Sequence, residues 1–160
     1  MSMIRKDLTF ASGQDSCAAW FYPAAADEGA RPVIVMAHGL TGTRRDGLGP
    51  FADRFAAAGI AALVFDYRGF GDSTGEPDLF EPSRQLEDWR AAIAFARSLP
   101  DIDAGRLATF GSSLGGGNAR VVRTTVRPHH RAIGMSDSKP RLRHTCSGTH
   151  RGRPNQGAEP

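Results

Sequence analysis

Two serines lie in the pattern Gly-x-Ser-x-Gly, which is typical of a serine nucleophile on a sharp turn between a strand and a helix. Ser113 lies in GSSLG at residues 111–115, and Ser73 lies in GDSTG at residues 71–75. Small glycines on both sides of a serine let such a turn close without side-chain clashes. The chemistry that this arrangement serves is acyl transfer, in which the serine oxygen attacks a carbonyl carbon.

The segments around the two serines favour Ser113. The apolar run RLATF leads directly into it, and LGGGNARVV after it is suited to begin a helix. Ser73 lies within the Gly- and Pro-rich stretch YRGFGDSTGEPDLF, with Pro77 four residues later. Because a nucleophile turn requires a strand before the serine and a helix after it, Ser113 is the predicted nucleophile and Ser73 a loop residue.

The elements that must position Ser113 alternate between strands and helices. IRKDLTFAS and SCAAWFYP flank the turn signal GQD and predict a hairpin, while PVIVMAHG and IAALVFD are continuous apolar runs typical of buried parallel strands. GLGPFADRFAAAG and PSRQLEDWRAAIAFARSLP show helical spacing of their apolar residues. This order predicts an α/β fold with a mostly parallel sheet, flanking helices and functional loops at the carboxyl ends of its strands.

Three polar residues follow the predicted parallel strands and should meet at one edge of the sheet. They are His38, Asp66 and Ser113. A serine hydroxyl is a weak nucleophile until a base accepts its proton, so His38 is one candidate for that base. A purely structural role of His38 is the other interpretation.

Three segments resemble consecutive landmarks of the α/β-hydrolase superfamily. VIVMAHGLTG, LVFDYRGFGDSTGEP and DIDAGRLATFGSSLGG occur in the order of that family, within residues 4–118. The resemblance is greatest to serine aminopeptidase-like, Xaa-Pro dipeptidyl-peptidase-like and dienelactone hydrolase-like members. It implies the N-terminal part of an α/β-hydrolase fold, truncated after the nucleophile elbow, as the strand–serine–helix turn is called.

The resemblance also implies roles for individual residues. Ser113 matches the nucleophile, and the backbone N–H groups of Leu40 and Leu114 match the two oxyanion-hole donors. In the family the histidine at His38 is structural, and the acid at Asp66 belongs to a loop network with Arg68. The remaining motif positions are Gly39, Gly111 and Gly115, and residues 41–46 border the pocket. The implied substrate is a small ester, thioester or peptide-like amide, without a metal or an organic cofactor.

The chain departs from the family after the predicted nucleophile. In that family the catalytic acid and then the histidine follow the serine on later strands. Here Asp137 is followed by His144 and His150, in a segment without strand or helix periodicity to hold them. We therefore expect the acid and base to be missing and the chain to lack efficient turnover, which leaves a non-catalytic remnant as an alternative. We also expect RLATF to form an exposed sheet edge.

Composition changes abruptly near the same place. Residues 1–118 contain 11 basic and 15 acidic residues, a balance of −4, whereas residues 119–160 contain 9 and 2, a balance of +7. The predicted organisation is a partial hydrolase domain over 1–118 and a basic, low-order tail over 119–160. A frameshifted or truncated gene product is one hypothesis for this change. A nucleic-acid-binding arm is an alternative, but the tail has no aromatic residue for base stacking, which favours a solvated segment.

Composition also limits other functions. No apolar run reaches the length of a membrane span, and the first residues carry charges where a signal peptide would be apolar, so we expect a cytoplasmic protein. Cys17 and Cys146 match no metal-binding or redox spacing. The sequence leaves the oligomeric state open.

Overall fold

The first two strands form the predicted hairpin. The computed structural model describes residues 5–25, 29–125 and 130–134. In it β1 (Lys6–Ser12) and β2 (Asp15–Tyr22) pair antiparallel. Gly13 lies in the turn with φ +59°, a backbone conformation that glycine adopts without a steric penalty. The hairpin prediction is confirmed.

Helices and parallel strands then alternate as predicted. The elements in chain order are β3 (Arg31–Ala37), α1 (Gly49–Ala57), β4 (Ala61–Phe65), α2 (Pro82–Ser98), β5 (Ile102–Gly111), α3 (Leu114–Thr125) and β6 (His130–Gly134). They form one six-stranded sheet in the order β1-β2-β4-β3-β5-β6, with β2 antiparallel to β4 and all later pairs parallel. The α/β architecture expected from the sequence is confirmed.

The register of the central strands brings the functional loops together. Ala37 at the end of β3 pairs with Phe65 at the end of β4 and with Gly111 at the end of β5. The residues that follow these three strand ends therefore leave the sheet side by side. His38, Asp66 and the serine turn are neighbours at the carboxyl edge, as the sequence predicts.

Helices cover both faces of the sheet. On one face α1 packs over an apolar cluster that includes Ile34, Met36 and Phe110. On the other face α2 and α3 cover the larger cluster around Phe65 and Trp89. β3 and β4 are apolar on both faces because both faces are buried. Among the described helices, none is both long enough and apolar enough to cross a membrane.

The structure corrects one expectation about the C-terminal part. β5 is not a sheet edge, because β6 pairs with it from Leu107↔His130 to Gly111↔Gly134. α3 also continues beyond residue 118 to Thr125. The sequence did not predict β6 because its five residues, HRAIG, are too few to show strand periodicity. Pairing of its backbone requires only a crossover connection and a free edge on β5. The division of the chain at residue 118 stays a prediction, and residues 135–160 lie outside the described part.

Candidate active site

Ser113 lies on a sharp turn between β5 and α3. Its φ of +50° is in the left-handed region, which non-glycine residues rarely occupy and which is associated with functional sites. The amide of Ser112 donates to the carbonyl oxygen of Ala37 at 3.3 Å, and the amide of Gly116 donates to the carbonyl oxygen of Ser113 at 3.0 Å. The side chain of Ser113 is exposed. The turn therefore presents this hydroxyl at the carboxyl edge of the sheet.

Three glycines allow the backbones around Ser113 to approach closely. A Cβ on Gly111 would overlap the backbone of Gly115 and Gly116. A Cβ on Gly115 would overlap the carbonyl oxygen of His38 and lie 2.7 Å from that of Ala37. A Cβ on Gly39 would lie 3.3 Å from the Cβ of Ser113. Close backbone packing requires these three glycines. The Gly-x-Ser-x-Gly pattern includes Gly111 and Gly115 but not Gly39.

The two predicted oxyanion donors lie on either side of this turn. Leu114 begins α3 directly after Ser113, and Leu40 follows Gly39, whose added Cβ would be 3.9 Å from the Oγ of Ser113. Within the described part of the chain, neither amide donates a hydrogen bond to another group. An oxyanion hole requires two such N–H groups that are free to donate to the developing oxyanion, and the assignment of Leu40 and Leu114 stays a prediction.

His38 is buried and uses both ring nitrogens for backbone contacts. Its Nδ1 lies 2.8 Å from the carbonyl oxygen of Gly39, and the amide of Tyr67 donates to its Nε2 at 3.5 Å. Burial lowers the pKa of His38 below its usual value of 6.5, although the Gly39 carbonyl and Asp66 oppose this shift. The contacts favour a neutral, structural histidine over a catalytic base.

The lowered pKa of His38 predicts acid sensitivity. Between the folded and unfolded pKa values the unfolded chain binds more protons, so the free energy of unfolding should fall as the pH drops below 6.5. Because most carboxylates titrate at lower pH, a change in stability between pH 7 and 5 reports mainly on histidine. Denaturant unfolding of the wild type and of His38→Gln across this range measures the effect. A smaller pH slope in His38→Gln is expected, whereas an equal slope would contradict the assignment.

Asp66 pairs with Arg44, not with Arg68 as the family resemblance implies. The carboxylate of Asp66 is fully buried and accepts from the amide of Arg44 at 2.5 Å and from its guanidinium. The Arg44 side chain is only 6% exposed, and its guanidinium also contacts Asp72 and lies 4.9 Å from the Trp20 ring centre. The pair ties the loop that follows Leu40 to the carboxyl end of β4.

Arg68 instead joins its loop to α2. It donates to the buried carboxylate of Asp88 from its amide at 3.0 Å and from Nε at 2.5 Å. Its Nη2 donates to Glu87 at 2.8 Å, and Ser12 on β1 donates to Asp88 at 2.6 Å. Two arginine–carboxylate pairs, Arg44 with Asp66 and Arg68 with Asp88, therefore hold the loops after β3 and β4, and the sequence indicated neither pairing.

A buried polar network anchors α3 behind the serine turn, and sequence reasoning missed it. The amide nitrogen of Asn118 donates to Gln85 on α2 at 2.9 Å and to the hydroxyl of Tyr67 at 3.3 Å. The indole of Trp89 donates to the same hydroxyl at 2.9 Å, while burial raises the pKa of Tyr67 to about 12. The sequence signal that could have indicated this network was Asn118, a polar amide early in the predicted helix after Ser113.

Ser73 has a structural position. Its Oγ donates to the carbonyl oxygen of Asp66 at 2.8 Å and accepts from the amide of Ala18 at 2.9 Å. The contact with Ala18 holds the loop after β4 against β2, and the contact with Asp66 closes the loop on itself. A hydroxyl used in this way agrees with the prediction that Ser73 is a loop residue.

Two cavities lie at the carboxyl edge of the sheet, and the smaller one includes the serine turn. The smaller one, of about 240 Å³, is lined by Ser113 together with Asp46, Gly47, Leu48, Phe51, Phe110 and Ser112. The larger one, of about 460 Å³, is lined by Leu40, Thr41, Gly42, Thr43, Phe70, Gly71, Asp78 and Phe80. The segment 41–46, predicted to border the pocket, contributes to both.

No described side chain takes the role of the base. Ser113 Oγ has no hydrogen-bond partner among the described residues, whose side chains include a single histidine, His38. Asp137, His144 and His150 lie outside the described part of the chain. Within the ranges that the structure covers, no three His, Cys, Asp or Glu side chains are grouped to hold a metal ion.

Comparison with known proteins gives related hydrolases. The chain matches the family model for X-Pro dipeptidyl-peptidase (S15 family) over residues 17–148. Quorum-quenching protein AidA of Acinetobacter baumannii is 55% identical over 113 residues, 70% of this chain and 37% of that protein. Thiohydrolase aneE of Aspergillus aculeatus is 36% identical over 89 residues, 55% of this chain and 28% of that protein.

A solved structure shares the fold. The α/β hydrolase GrgF from Penicillium sp. sh18 is 25% identical with a TM-score of 0.74, over 82% of this chain and 45% of that one. The architecture is that of the α/β-hydrolases, and the chain spans less than half the length of each of these three relatives.

Proposed function

The chain belongs to the X-Pro dipeptidyl-peptidase (S15) family, and on that premise we propose that Ser113 is the nucleophile of a serine hydrolase. The observation that carries the proposal is the exposed Ser113, held at φ +50° between β5 and α3 beside the free amides of Leu40 and Leu114. Ester, thioester and amide carbonyls are the substrate class, and a thiohydrolase among the relatives supports the inclusion of thioesters.

The reaction follows from the positions of these groups. The Oγ of Ser113 forms a bond to the carbonyl carbon, and negative charge develops on the carbonyl oxygen. The amides of Leu40 and Leu114 donate to that oxygen, a contribution that is commonly among the largest in acyl transfer. The bond to the leaving oxygen, sulfur or nitrogen then breaks, and the serine proton passes through a base to the leaving group. Water releases the acyl group in a second, similar step.

Among the described residues are the proposed nucleophile and the proposed oxyanion donors, whereas no described side chain is placed to act as a base on Ser113. Loss of a base lowers the rate by several orders of magnitude, while an oxyanion hole with substrate binding retains about 10³–10⁴-fold over water. We therefore propose that the 160-residue chain reacts slowly at Ser113 without efficient turnover. His38 does not replace the base, because both of its nitrogens contact backbone groups.

Hydrolysis of p-nitrophenyl acetate tests the proposal. The wild-type chain should release p-nitrophenol slowly, and Ser113→Ala should lose the protein-dependent part of that rate because the attacking oxygen is gone. Ser73→Ala is the matched control, since its serine has the same Gly-x-Ser-x-Gly setting, and it should keep the wild-type rate if it remains folded.

Two outcomes would overturn parts of this proposal. Equal rates for the wild type and Ser113→Ala would exclude Ser113 as the nucleophile. Fast, repeated turnover that depends on Ser113 would instead show that a base acts on it, which would contradict the proposed slow reaction.

A further inference from the structure

The large apolar side chains that the described structure leaves exposed are concentrated at the two cavities. Of the four large apolar residues that the described structure leaves exposed, Leu40 and Phe80 line the larger cavity and Phe51 lines the smaller one. Leu40 is 47% exposed and Phe80 is 42% exposed. Such residues exposed around a concave site commonly mark a surface for an apolar ligand.

Leu40 links the larger cavity to the proposed oxyanion site. Leu40 contributes its amide to that site and its side chain to the cavity wall. Phe70 and Phe80, from the loop after β4, also line the cavity. A substrate whose carbonyl oxygen lies at the Leu40 amide therefore has an apolar wall within reach for one of its two substituents.

The charged residues that line the two cavities are both acidic. Asp78 lines the larger cavity and Asp46 the smaller one, and these are the charged residues among the lining groups. The two basic residues of the loop after β3 do not neutralise Asp78. Arg44 pairs with Asp66 and Asp72, and Arg45 pairs with Asp72. Within the described part of the chain the carboxylate of Asp78 has no ion pair or hydrogen bond. An anionic substituent would therefore meet an uncompensated negative charge.

The backbone conformation of Asp78 is unusual for a residue other than glycine. Its φ of +58° is in the left-handed region, and its amide donates to the carbonyl oxygen of Gly69 at 2.9 Å. Asparagine adopts this conformation as readily as aspartate. The structure thus holds an acidic side chain at the cavity in a conformation that few residue types adopt, and Asp78→Asn removes the charge without changing the backbone.

We propose that the larger cavity binds an uncharged apolar substituent of the substrate and that Asp78 selects against substituents that carry a carboxylate. The proposal rests on the proposed function for the location of the reacting carbonyl. It adds a substrate class, uncharged apolar esters or thioesters, and a specificity residue outside the acyl-transfer chemistry.

Binding of two matched amides by the full chain tests this proposal. Octanamide is uncharged, and its counterpart carries a terminal carboxylate on the same carbon chain. Titration at low ionic strength, followed by NMR, should give weaker binding for the carboxylate. Asp78→Asn should strengthen carboxylate binding about two- to fivefold relative to octanamide binding, as expected for an exposed charge pair. Glu76→Gln, which removes a nearby exposed charge outside both cavities, should change neither.

A second pair of variants tests the apolar wall. Phe80→Ala should weaken octanamide binding about three- to tenfold because apolar contact area is lost. Val121→Ala removes the fourth exposed apolar residue, which lines neither cavity, and should have no effect. Because amide binding does not require attack by Ser113, the same titration of Ser113→Ala separates the two proposals. Equal affinities for both amides in the wild type, or no effect of Asp78→Asn and Phe80→Ala, would overturn this inference while leaving Ser113 as nucleophile.

Discussion

Replacing Asp66 with alanine should lower the free energy of unfolding by about 3–5 kcal/mol, the usual cost of removing one partner of a buried ion pair. The guanidinium of Arg44, whose side chain is 6% exposed, would lose its buried carboxylate partner and keep its contact with the half-exposed Asp72. The amides of Arg44 and Asp72 would also lose their acceptor. Chemical denaturation of the wild type and the variant, analysed for the midpoint and slope, measures the loss.

An exposed pair supplies the control for Asp66→Ala. Asp103 contacts Arg106 at 2.6 Å, but the two side chains are 37% and 58% exposed, so Asp103→Ala should cost at most about 1 kcal/mol. The double variant Arg44→Met with Asp66→Leu should recover a large part of the stability, because a well-packed apolar pair often replaces a buried ion pair. A loss in Asp66→Ala no greater than in Asp103→Ala would contradict the role assigned to this pair.

Replacing Gly115 with alanine should destabilise the protein by at least about 2 kcal/mol, although alanine is the better helix former by about 1 kcal/mol. The added Cβ would overlap the carbonyl oxygen of His38 and lie 2.7 Å from that of Ala37 at the end of β3, so closely packed backbone would have to shift. The turn that carries Ser113 would have to shift. Thermal or denaturant unfolding measures the stability, and the p-nitrophenyl acetate rate should fall together with it.

Gly117 is the matched control on the same helix. Its added Cβ would meet no atom within 4 Å, so Gly117→Ala should stabilise the protein by about 0.5–1 kcal/mol through helix propensity. A loss of stability in Gly115→Ala together with a gain in Gly117→Ala would separate the effect of close packing from that of helix propensity. Similar effects of the two substitutions would contradict the close approach of α3 and β3.

The sequence predicted those elements that have a strong local signal. Continuous apolar runs indicated β3 and β4, and the apolar stripe of α2 indicated a helix that covers the sheet. The serine turn was predictable because a strand, two glycines and a helix start coincide around Ser113. These signals depend on neighbours in the chain, which is why they could be recognised before the fold was known.

The contacts between distant segments could not be predicted in the same way. Asp66 is followed closely by Arg68, yet its buried partner is Arg44 from another loop. Pairing of this kind depends on the tertiary packing of two loops, and the motif contains no signal that distinguishes the two arginines. β6 was missed for a related reason, since a five-residue strand is stabilised by the neighbouring β5 and not by its own pattern.

Covalent capture of the nucleophile tests the central claim most directly. The full chain, incubated with an alkyl fluorophosphonate and digested, should carry one phosphonyl group on the peptide that contains Ser113. The Ser113→Ala variant should remain unmodified under the same conditions, because it lacks the oxygen that we propose as the nucleophile. Modification mainly at Ser112 or Ser73, or the same extent of modification in Ser113→Ala as in the wild type, would contradict the assignment of Ser113 as the nucleophile.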